Sequence, residues 1–105
     1  MIFRILLGIY KIISWHIKIF KGISYEEQLS HFESEMLEWQ LAFMTYMTDK
    51  TDENFDDLEL ERADVIISGI NLLRFPQARE IVKRKMDINR KRTWKNGRHT
   101  ENLDK

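Results

Sequence analysis

Ile2, Leu6, Ile9, Ile13 and Phe20 recur at helical spacing, which predicts an amphipathic first helix from about residue 2 to Lys21, stopped at Gly22. Ser24-Tyr25-Glu26-Glu27 then reads as a capping box, in which the Ser24 hydroxyl and the Glu27 carboxylate satisfy each other's backbone N–H groups. The helix it starts runs to about Met47, with Leu29, Phe32, Met36, Trp39, Phe43 and Tyr46 on one apolar stripe. The all-polar segment TDKTDEN, residues 48–54, reads as a loop. A third helix is predicted from about Phe55 to Arg74. Pro76 suits the first turn of a fourth, where no N–H is needed, and the pattern carries that helix to about Trp94. The segment from about residue 93 to 105 reads as an irregular tail. Short connections between successive helices make neighbours antiparallel, so the expectation is one all-α domain over residues 1–105, an antiparallel four-helix bundle.

The third helix breaks its own pattern. Its second half is apolar on nearly every side, yet Asp57, Glu61, Asp64, Ser68 and Asn71 follow at spacings of four, three, four and three and so share one stripe. A buried, unpaired carboxylate is costly enough that it protonates, pairs with a base or binds a metal. The second helix carries a matching pair, Glu35 and Glu38, again three apart. Four carboxylates from two antiparallel helices make an oxygen-only site, which suits Mg²⁺, or Mn²⁺, far better than zinc. An isolated Glu-x-x-Glu is ordinarily a solvated face, and Glu53-x-x-Asp56 is read that way here. Glu61 and Asp64 differ because they continue into Ser68 and Asn71 along an otherwise apolar helix.

Composition narrows the class. With 43% hydrophobic and 32% charged residues, four Gly and one Pro, the chain is that of a folded helical protein rather than a disordered one. The absence of cysteine rules out disulfides and thiolate metal sites, and a cytoplasmic location is the default expectation. Net charge is zero, which gives no overall field for gathering nucleic acid, and stable nucleic-acid binding is not expected. That neutral sum conceals two blocks: residues 49–64 hold eight acids against two bases, and residues 83–98 hold eight bases against Asp87 alone. Within the basic block, Lys85, Asn89 and Arg92 fall at spacings of four and three, on one stripe of the fourth helix. They can pair with the carboxylates or, if those hold a divalent ion, bind the anion that the ion also binds; polyphosphate is the obvious candidate.

Arg4, Lys11, His16 and Lys18 interrupt the apolar opening, so no membrane span is expected there. The wide apolar face of this helix suggests burial against a second subunit, and a dimer or tetramer is expected; the competing reading is a helix lying in a membrane interface. Trp39 is read as core packing and His16 as a hydrogen-bonded helix residue, while His31, one turn before Glu35, stands open between the edge of a site and solvent. No Glu-x-x-His occurs, so the ferritin-like di-iron pattern lacks its histidines.

Glu35-x-x-Glu38, a spacer of 22 residues, Glu61-x-x-Asp64 and then Lys85-x-x-x-Asn89-x-x-Arg92 together resemble the pattern of MazG-type nucleoside triphosphate pyrophosphohydrolases, over residues of about 24–98. The resemblance implies hydrolysis of a ribo- or deoxyribonucleoside triphosphate between the α and β phosphates, giving the monophosphate and pyrophosphate. It further implies Mg²⁺ on Glu35, Glu38, Glu61 and Asp64, with Glu38 or Glu35 as general base, and substrate contacts from Lys85, Asn89 and Arg92. The alternative is a catalytically inactive helical module that oligomerises and binds nucleotide or a partner protein, its polar seam specifying register.

Overall fold

A computed structural model describes residues 1–99 of the chain. Helix α1 spans Ile2–Ile19, α2 Tyr25–Thr48, α3 Asp52–Leu72 and α4 Pro76–Arg90, so the described residues are predominantly helical. No helix among them is long and apolar enough to cross a membrane. The Ser24 capping box is formed, with Glu27 N–H on the Ser24 hydroxyl and Ser24 N–H on the Glu27 carboxylate. Helix α3 starts three residues earlier than the apolar pattern predicts. Thr51 caps it through the Asn54 N–H, and acids in the first turn suit the positive end of the helix dipole, so a polar run became helix. At its far end α1 closes at Ile19, two residues short of the predicted Lys21, its Phe20 N–H bonded back to the His16 carbonyl.

The chain divides into two compact units, Met1–Phe75 and a second beginning at Pro76. In the first, α2 and α3 lie side by side along their lengths, antiparallel, from Tyr46 against Phe55 beside the loop to Gln28 against Ser68 at the other end. Helix α1 makes a smaller contact with α3. The two long helices approach closely at Gly69, where a Cβ would come within 3.3 Å of the Phe32 ring. In the second unit, α4 is followed by a minimal ladder, β1 (Trp94–Lys95) with β2 (Arg98–His99), where the sequence reading expects irregular chain. The missed signal is Asn96-Gly97, whose φ values of 53° and 76° are those a two-residue hairpin turn demands. Residues 100–105 of the expected tail lie outside the described residues.

Burial is inverted relative to an ordinary domain. Among the described residues Leu58 and Ala78 are the buried apolar side chains, whereas His16, Gln28, Ser68 and Asn71 are all buried polar ones. Large apolar side chains on the helices stand open, among them Ile2, Phe3, Leu6, Leu37, Leu41 and Met44.

Candidate metal centre

Glu35 and Glu38 project from adjacent turns of α2, and Glu61 meets them from α3; one carboxylate oxygen from each lies within 4.8 Å of the others. That separation is one a single hard cation can span from oxygen to oxygen. Two oxygens of the trio's carboxylates, Glu35 Oε2 and Glu61 Oε2, are buried without a hydrogen-bond partner. Burial, followed by the charge of Glu38, holds both Glu35 and Glu61 above the ordinary carboxylate range of about 4.5. Asp64, one turn further along α3, stands outside this trio and is exposed, though its charge adds to the upward push on both. His31 Nε2 lies 3.5 Å from Glu35 Oε1 and so sits at the rim of the cluster.

Behind the acids runs a buried polar chain. Arg74 Nη1 donates to His16 Nδ1 at 2.8 Å, which leaves the His16 proton on Nε2, where it is donated to Gln28 Oε1 at 2.8 Å. Gln28 Nε2 in turn donates to the Ser68 carbonyl at 3.1 Å. Burial, reinforced by Arg74 and outweighing the Gln28 hydrogen bond, holds His16 below its ordinary 6.5. The sequence reading does not pick out Gln28 or Arg74. Gln28 had a signal: Gln28, His31, Glu35 and Glu38 run at spacings of three, four and three, the same rhythm as Glu61, Asp64, Ser68 and Asn71 on the facing helix. Arg74 carried none, because its partner lies 58 residues away.

Two hollows flank the acids. One, about 260 Å³, is lined by Glu35 and Asp64 together with Trp15, Phe20, Ser68 and Asn71. A wider one, about 420 Å³, opens past Glu61 toward Asp57, Asn54 and Thr45.

Lys85 and Asn89 lie on α4 in the second unit, Lys85 exposed and Asn89 half-buried. Arg92 falls just beyond the helix, which ends at Arg90, so the three do not continue as one helical stripe. The Asn89 carbonyl accepts both the Arg92 N–H at 3.2 Å and the Trp94 indole N–H at 2.7 Å, which tie the chain down as it leaves the helix. No family model, curated protein or solved structure matches the chain.

Proposed function

We propose that this chain is a divalent-cation-dependent hydrolase that cleaves nucleoside triphosphates between the α and β phosphates, releasing the monophosphate and pyrophosphate. The observation that carries the reading is the meeting of Glu35, Glu38 and Glu61 from two helices, with Glu35 Oε2 and Glu61 Oε2 buried and unpartnered. Such oxygens fit Mg²⁺ or Mn²⁺. A cation bound there supplies charge neutralisation for phosphate oxygens and a water of lowered pKa. Glu35 and Glu61 are the holding groups, their unpartnered oxygens being the natural ligand atoms. Asp64, one turn from Glu61 and outside the trio, would contribute its negative charge beside a bound cation. Glu38 is the member of the trio exposed to solvent, and it is assigned to take the proton as water oxygen bonds to the α-phosphorus and the bond to the bridging oxygen breaks. Lys85, Asn89 and Arg92 are assigned to the substrate's anionic groups on the family resemblance of their motif. The open apolar side chains of α1–α3 support a homo-oligomer as the working form.

The test is pyrophosphate release by purified protein with Mg²⁺ across the common ribo- and deoxyribonucleoside triphosphates. At least one is expected to yield monophosphate and pyrophosphate, and Glu38→Gln to lower turnover by about 100-fold or more. Release from none of them overturns the reading.

A further inference from the structure

The smaller hollow beside the acids is lined by one buried polar atom that the metal reading does not account for. Asn71 lines it, is only 2% exposed, and its Oδ1 has no hydrogen-bond partner. Two of the polar side chains lining the hollow with it are already engaged: His16 uses both ring nitrogens, and the Ser68 hydroxyl donates to the Val65 carbonyl at 3.3 Å. A buried amide oxygen left without a donor costs about 1–3 kcal/mol, so a fold that retains one at a cavity wall has kept a place for a donor from outside. Trp15, Phe20 and His31 give the same hollow flat aromatic walls, with Trp15 and Phe20 edge to face at 6.0 Å. At about 260 Å³ it is slightly smaller than the roughly 300–1,000 Å³ pockets that enclose whole drug-sized ligands, room for one ring system and not for a complete nucleotide. Glu35 belongs both to this hollow and to the acidic trio, so a ring seated here would have its attached phosphates beside the cation site.

We propose that this hollow takes the base of the nucleotide and that Asn71 Oδ1 selects bases presenting an amino N–H, disfavouring those with a carbonyl oxygen at that position. The proposal rests on the metal-phosphate reading above and adds a specificity-determining residue to it. An amino-to-oxo exchange on the ring would set two oxygens face to face inside a dry pocket, replacing a hydrogen bond with a repulsion.

Equilibrium binding with Mg²⁺ present tests it, using α,β-methylene analogues of dCTP and dUTP, of dATP and dITP, and inorganic tripolyphosphate. Each nucleotide pair differs by one amino-to-oxo exchange, with a proton gained on the adjacent ring nitrogen. The amino member of at least one pair is expected to bind about tenfold or more tighter than its oxo partner, and tighter than tripolyphosphate. Asn71→Leu is expected to shrink that preference to about twofold or less while leaving tripolyphosphate affinity unchanged. Equal binding within both pairs, or preference for the oxo member, overturns the proposal on wild-type protein alone, whether or not Asn71→Leu folds. If tripolyphosphate binds and the nucleosides add nothing, the base pocket is wrong while the metal-phosphate reading stands. If neither tripolyphosphate nor any nucleotide binds, both fall.

Discussion

His16 looked in the sequence like a polar interruption of an apolar helix, and in the fold it is the joint between α1, α2 and the end of α3. Its two nitrogens are committed to Arg74 and Gln28, an arrangement that only the neutral ring can make. Because the fold holds His16 below 6.5, its contribution to stability is present above pH 6.5 and is lost as pH falls below that value toward the lowered one. His16→Ala is therefore expected to lower Tm most near pH 8, with the gap to wild type narrowing as pH drops toward 5; a gap independent of pH would refute the assignment. Glu35 and Glu61 carry the opposite sign. Their values are raised, so their favourable contribution is complete below 4.5 and is lost as pH rises through the folded values. On the proposed metal reading, Mg²⁺ takes only the ionised carboxylates and is expected to reverse the trend. The Tm gain from added Mg²⁺ is expected to be near zero at pH 4.5 and to grow toward pH 7, reaching about 2.7 kcal/mol of stabilisation at 100 times Kd. Glu61→Gln should abolish most of that gain.

At the scale of the helix, caps and spacing were legible because both are local. Ser24 and Glu27 sit three apart and need nothing beyond their own turn, and the box is formed as expected. Residues 48–54 read as loop because the segment is all polar and rich in turn formers; at a helix start, next to the Thr51 hydroxyl, Asp52–Asn54 are favourable helix residues. Asn96-Gly97 is a faint hairpin signal because only two residues pair on either side, too few to show alternation. Where two helices meet, the contact is tighter than either pattern implies. Gly69 leaves room for the Phe32 ring, so Gly69→Leu is expected to part α2 from α3 and cost about 1–3 kcal/mol, read as a drop in Tm of several degrees. An unchanged melt would mean that the helices are not held at this point.

For the whole molecule, the open apolar side chains are the dominant fact. With so few apolar side chains buried among the described residues, there is little to set against the conformational entropy of ordering the helices, and a second copy is the expected cover. Sedimentation is expected to give a dimer or tetramer whose Tm rises with protein concentration, and Leu41→Glu, which places a charge on an open apolar face of α2, should weaken it; a monomer with a concentration-independent Tm would dispose of this view. Sequence alone determined the four helices, the Ser24 cap and the acids that share a stripe, because a helix's period and its caps depend on residues a few positions apart. Tertiary structure alone decided that Glu35, Glu38 and Glu61 meet while Asp64 stands aside, that His16 reaches Arg74 across 58 residues, and that Asn71 keeps an oxygen unpartnered. The physical reason is that spacing names the face a side chain occupies, whereas the sliding register between two packed helices, settled by contacts such as Phe32 on Gly69 and Gln28 on Ser68, determines which groups on those faces come together.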